Sequence, residues 1–554
     1  MTPPLDIARD RPNPDATDPM AGPALSGSGL AAPDVAPSRR PIVRTAIGLN
    51  ADGSLRSGKL AGLTMNRAIW VLSWPILAES SLQSFVGLTD TFLSAQLSEA
   101  ATDAIGGASY ILWFVGLVAM AVSVGATALV SRAVGGSRLA VAHAATGQTM
   151  LLALGTGIVT AILIALAAGP MSRVMNLTGE AAEAFRTYLR ICAIGVPPLS
   201  ILAAGIACAR GAGDSVRPLV AMAVVNVVNV LASWALSGVD LVRTRIVGGE
   251  AVSELVYANP FGANLGIAGI AWGTVIGEFV GAAIVLGLLV RGSSVVRLKR
   301  HRLRPHWHTM RRLVAVGFPN FLETLGMWAG NFLIILMVGW LTVTAGAGLA
   351  ADGTAAAGGL MGAHIVAIRI EAFSFMPGFA MGAAAATLAG QYIGAGSPTS
   401  ARRAVKRCVI VTVCVMGAAG FLFLIAPREV TVLITGQPTH LEIVPRLIFI
   451  SGLVQIPFGI SIVLRSALRG AGDAKVVMWI TWITTYAIRL PLAYACSGVD
   501  IPLPRWMGGG VIENPFHDSP SLWLLWVGLC AEILFRAAIF GGRYLHGGWL
   551  TKRV

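Results

Sequence analysis

Four polar side chains interrupt the apolar run 66–95: Glu79, Gln83, Asp90 and Ser94. Their spacings of four, seven and four place them on one face of a helix. An ionisable group inside such a helix is costly, and it marks a place where a cation or a proton is handled. A face with two carboxylates points into a wet cleft rather than at lipid, where it can exchange a proton or hold a cation. In the run 216–239, Asn226, Asn229 and Ser233 recur at spacings of three and four. Those side chains either coordinate a cation or bond between helices. Glu278 has Ala282 one turn on, so its own helix supplies no counter-charge, whereas Glu532 has Arg536 at i+4 and reads as a structural partner. Glu323 and Glu371 complete the acids within long apolar runs. Arg369, two residues before Glu371, cannot pair with it on one face.

These residues sit on about twelve apolar runs, each long enough to cross the ~30 Å hydrocarbon core of a bilayer as a helix. Charged residues make up 12% of the 554-residue chain and hydrophobic ones 55%, against about 25% charged in a soluble domain. The fold class is therefore an all-α polytopic membrane protein. The net charge of +14 is carried in short loops, so it reports topology rather than nucleic-acid binding. The six cysteines form no CxxC pair and indicate neither a disulfide framework nor a zinc site. Residues 1–60, rich in Pro, Gly, Ser and Asp, are expected to be a disordered tail.

Lys and Arg gather in the loops after even-numbered runs. The longest, from Arg291 to Arg312, has eight of them and no acid. That side is read as cytoplasmic, with both termini inside. The same connector divides the chain into a lobe at 61–290 and a lobe at 310–545, joined by 291–309 and followed by a short tail at 546–554.

The two lobes share ordered motifs. RGAGD closes the fourth run of each, at Arg210–Asp214 and Arg469–Asp473, 259 residues apart. Pro75 and Glu79 answer Pro319 and Glu323. Gly135 answers Gly394, and SGVD and NPF each occur twice. This is duplication of a six-helix unit, and the two copies bound a cleft near the midplane. RGAGD itself reads as a tight turn, with its arginine at the phosphate level of the inner leaflet.

The pattern resembles the multidrug and toxic compound extrusion (MATE) transporter family over roughly residues 61–545. The resemblance rests on Pro75 with Asp90 fifteen residues on, Gly-rich turns at Gly135-Gly136 and Gly394-Ala395-Gly396, the two RGAGD turns, GIAGIAWGTVIGE in run six, and Arg489-Leu-Pro491. It implies two pseudo-symmetric six-helix lobes that alternate access, exporting bulky, often cationic, organic compounds in exchange for Na⁺ or H⁺. Three positions depart from the pattern. Met327, Phe458 and Ser233 stand where some members carry acids.

On residues and resemblance together, cation or proton coupling is expected at Asp90, Glu79, Asn229 and Glu278. The substrate cavity is expected at Gln83, Asn226, Glu323 and Glu371. No catalytic residue, metal site or cofactor beyond the coupling ion is expected. The anticipated partners are a small-molecule substrate and membrane lipid, with a monomer in the inner membrane. A flippase for a lipid-linked oligosaccharide is the alternative, and a membrane enzyme acting on lipids is disfavoured because no loop is large enough to carry its motifs. No GxxxxGK[ST] occurs, so ATP hydrolysis is not indicated.

Overall fold

The computed structural model describes residues 48–552, apart from 176, 248–249, 293–294, 350–358, 504–509 and 518–519. Some side chains inside helices and strands, including 83–88, also lie outside that description, so Gln83 is placed only as part of its helix. The tail expected at 1–60 lies outside it up to residue 47.

The first lobe is built from α1 (Met65–Leu97), α2 (Glu99–Gly135), α3 (Leu139–Val174), α4 (Gly179–Gly211), α5 (Val216–Ser237) and α6 (Ile267–Arg291). The second holds α7 (Trp307–Leu349), α8 (Leu360–Gly394), α9 (Pro398–Ile425), the short α10 (Pro427–Val432) and α11 (Pro438–Gly470). Next comes one span made of α12 (Ala474–Trp482), a π-helical stretch Ile483–Arg489 and α13 (Leu490–Ser497), and last α14 (Leu522–His546). Among the described residues, eleven helices are long and apolar enough to cross a membrane, and α1, with 33 residues, precedes them. The chain is a multi-pass membrane protein.

The repeat extends to structure that the apolar runs did not announce. Each lobe carries a β-hairpin between its last two spans: β1 (Leu241–Val247) with β2 (Glu250–Tyr257), and β3 (Ile501–Leu503) with β4 (Gly510–Ile512), both antiparallel. The repeated SGVD and NPF motifs clip these hairpins shut. Asp240 accepts from the Asn259 amide at 2.6 Å, and Asp500 accepts from the Asn514 amide at 2.7 Å. Each asparagine side chain then donates to the helix before it, at the carbonyl of Trp234 or of Tyr494.

The copies also differ by one residue. SGVD follows RGAGD one position later in the second lobe than in the first. The extra residue falls in the span that contains the π-helical stretch Ile483–Arg489, the form in which a helix absorbs a single insertion.

The lobes meet at the end of the bundle that carries the basic connector. α2 crosses α7 so closely that a Cβ on Gly125 or Gly317 would come within 2.5 Å of a backbone oxygen opposite. Nearby, Gln391 donates to the carbonyl of Gly211 at 2.9 Å and Arg132 to that of Ala471 at 2.7 Å.

Residues 48–62 correct the expected tail. They form a compact strap across this seam, stabilised by an Asn50–Ser54 turn. The Ser54 hydroxyl and amide hold the Asp52 carboxyl below the usual carboxylate range. Leu55 and Leu60 are fully buried against Leu388, Tyr392 and Ala395 of the second lobe. In the same strap, Ser57 donates to the Val134 carbonyl and Lys59 to that of Ala212, both in the first lobe. The reason is local: two leucines in a polar, Gly-rich stretch are enough to anchor it once a folded surface is there to receive them.

Candidate functional site

RGAGD makes the tight turn its composition calls for, with Gly213 and Gly472 at φ of 90° and 85°, where a side chain would be strained. Its aspartates tie neighbouring segments together. Asp214 binds Arg217 and Lys59, while Asp473 binds Arg543 and Lys552.

Its arginines are engaged by the protein itself rather than left for lipid headgroups. Each turns into its lobe and meets the glutamate that follows the proline of the lobe's first helix. Arg210 binds Glu79, and Arg469 binds Glu323 through Nε at 2.9 Å and Nη2 at 2.6 Å. The cause is the price of leaving a buried carboxylate unpaired, which exceeds what the arginine gains from the interface. Glu79 is thus held in an ion pair. Glu323 is fully buried and also accepts from Thr481 at 2.8 Å, so it is sealed within the second lobe.

Asp90 and Glu278 of the first lobe have no such partner among the described residues. Asp90 of α1 is 9% exposed, within reach of Thr274 of α6, and its Oδ1 has no hydrogen-bond donor. Thr274 also accepts from Asn229 of α5 at 3.0 Å. Glu278, one turn after Thr274 on α6, lies within electrostatic reach of Asp90. Its Oε2 is buried without a donor. It fits because position 195 on α4 is glycine; any Cβ there would collide with the carboxylate. The side-chain oxygens of Asn226 and Asn229 are likewise without donors. Four helices therefore bring together Asp90, Asn229, Thr274 and Glu278, with Tyr188 and Cys192 of α4 beside the two acids. Thr274, Tyr188 and Gly195 were not found from sequence. Thr274 could have been, since it shares a helical face with Glu278. Ser233 instead donates to the Ile270 carbonyl at 3.2 Å.

In the second lobe, Glu371 of α8 accepts from Ser451 at 2.9 Å, within a chain that continues to Gln455 and Ser374. Glu532 pairs with Arg536 at 2.7 Å. Arg536 also donates to Thr484 and Thr485 of the π-helical stretch. Between the lobes, aromatic side chains of α2 and α7 face each other: Trp113 with Trp328, and Phe114 with Phe321. Beside them is a groove of about 230 Å³ lined by Val118, Ala121, Gly317 and Phe318.

Among the described residues, twelve long spans in two repeat-related lobes, with ionisable groups enclosed in each, are the build of a polytopic transporter. The MatE family model matches residues 75–235 and 359–495, more than half of the chain. A probable multidrug resistance protein NorM of Thermotoga maritima is 26% identical over 87% of this chain and 93% of its own length. The multidrug resistance protein PmpM of Pseudomonas aeruginosa is 23% identical over 78% and 84%. An outward-facing structure of a multidrug resistance MATE family transporter superposes with a TM-score of 0.72 at 18% identity, over 88% of this chain and 97% of that one. The chain belongs to the MatE family, the MATE efflux transporters.

Proposed function

We propose that the chain is a secondary antiporter of the cytoplasmic membrane that exports bulky organic compounds carrying a cationic group, in exchange for H⁺ or Na⁺. The observation that carries this reading is the pair Asp90 and Glu278. They are two carboxylates enclosed in one lobe, with no arginine or lysine bonded to either among the described residues and with donor-free amide oxygens around them. Enclosed carboxyl groups without a basic partner carry charge only at a cost, so they bind a proton or a metal cation, and cation and cargo then compete for them. The relatives named for multidrug resistance support the breadth of cargo. The basic connector supports a cytoplasmic position for that end and for both termini. With the lobes joined there, the conformation reads as outward-facing.

The test is efflux from everted vesicles under separately imposed pH and Na⁺ gradients, with Asp90→Asn beside the native chain. Asp90→Asn keeps the shape of the side chain and removes its charge. It should insert normally and lose gradient-driven efflux, and its dependence on the coupling cation should flatten. Native transport by that variant would move the coupling role away from Asp90.

A further inference from the structure

The internal repeat allows each charge in one lobe to be compared with its counterpart in the other: the first lobe carries acids, and the second arginines, at positions where the counterpart has no such charge. Asp90, fifteen residues after Pro75, corresponds to the buried Ile334, fifteen after Pro319. Glu278 has Ala282 one turn on, where Glu532 has Arg536. Counting back from SGVD, Asn229 of the acidic site corresponds to Arg489 at the end of the π-helical stretch. Counting back from RGAGD, Ile206 corresponds to Arg465.

Neither added arginine is matched by an acid of its own. Arg465 reaches from α11 to α7 and places Nη1 at 2.9 Å from the sulfur of Met327. Its carboxylate neighbour is Glu323 at 3.9 Å, whose oxygens already serve Arg469 and Thr481. The Nε atoms of Arg465 and Arg489 are both buried without an acceptor. Neither side chain is sealed off, that of Arg465 being 11% exposed. Glu532 and Glu371 are both within electrostatic reach of Arg489, each already engaged by Arg536 or by Ser451, and Arg536 is within reach of both arginines. Among the described interior groups of this lobe, Arg465, Arg469, Arg489 and Arg536 face Glu323, Glu371 and Glu532, which leaves one cation in excess. A guanidinium with spare N–H groups, whose close contact is a thioether and whose carboxylate neighbour is already shared, is a ready partner for a planar anion.

We propose that the second lobe holds an anion subsite at Arg465 and Arg489, repeat-related to the acidic site of the first lobe, which takes a carboxylate or similar anionic group of the transported compound. The preferred cargo is then dipolar, with its cationic group toward Asp90 and Glu278 and its anionic group toward Arg465. This rests on the antiport reading above, and the experiment separates the two.

Efflux is measured for two rhodamine dyes that differ only in a free benzoate carboxylate or its ethyl ester. The native chain, Arg465→Met, Arg465→Lys and Arg489→Gln are compared at matched protein levels. Arg465→Met, which restores the apolar character of Ile206, should lower efflux of the free acid by roughly tenfold to a hundredfold, the range for a lost charge-assisted contact. It should leave the ester within about twofold, a difference too small to reflect loss of such a contact. Arg465→Lys should retain the preference for the acid. Equal loss of both dyes in Arg465→Met with recovery in Arg465→Lys would make the residue structural and overturn the subsite, as would no change in either dye. Should Arg465→Met not fold, Arg489→Gln gives the same discrimination. Replacing chloride by gluconate addresses a free inorganic anion: the acid-over-ester preference should persist, and its disappearance would show a chloride site instead. A native chain that exports neither dye under any gradient would refute the antiport reading. Binding of the two dyes to the purified chain, followed by fluorescence anisotropy, would then still decide the subsite.

Discussion

The two repeat-related ion pairs offer a quantitative test of how burial sets their worth. Glu323→Gln removes a carboxylate that is 0% exposed and that binds both Arg469, itself 9% exposed, and Thr481. It also leaves Arg465 with no acid nearby. Breaking such a pair on one side costs about 3–5 kcal/mol, because the remaining charge stays buried. Glu79→Gln breaks the counterpart pair, yet Arg210 is 23% exposed and can turn toward the lipid phosphates, so the loss should be less than about 3 kcal/mol once solvent screening is counted. Replacing both partners, as in Glu323→Gln with Arg469→Met, should recover much of the loss, since the uncompensated guanidinium is gone. The assay is the unfolding midpoint of the purified chain in one detergent, followed by intrinsic tryptophan fluorescence. A larger loss for Glu79→Gln than for Glu323→Gln would refute the burial argument. So would a double variant no more stable than Glu323→Gln alone.

Further outcomes are expected elsewhere. Asn514→Ala should cost about 1–3 kcal/mol, because it removes the side-chain bonds to the carbonyls of Tyr494 and Val499 and leaves the Phe516 amide without its acceptor, with a smaller loss for the less buried Asn259→Ala; the same unfolding midpoint reads it. Leu60→Asp puts a charge into the fully buried anchor of the strap and should raise the labelling rate of a cysteine introduced at Ser131. An unchanged rate would show that the strap does not restrain the seam. Cysteine labelling should find the 291–306 connector on the cytoplasmic side and residues 255–261 on the other, and the reverse would invert the topology.

Much of this molecule was legible in its sequence, for reasons that can be named. Apolar runs of bilayer length make helices whatever their neighbours, because lipid leaves the backbone no other partner than itself. Duplication shows as ordered letters, and an i+4 pair such as Glu532 and Arg536 is settled within one helix. What only the tertiary structure decided were contacts between groups far apart in the chain. The arginines of RGAGD were free, by sequence, to face the headgroups; folding brings Glu79 and Glu323 within their reach, and the cost of an unpaired buried acid turns them inward. Gly195, Asn229, Thr274 and Glu278 join Asp90 from three other helices, which no spacing along α1 could show. The strap at 48–62 looked too polar to fold, and alone it has too little apolar surface to bury. Its order comes from the surface presented by both lobes, where Leu55 and Leu60 find a place.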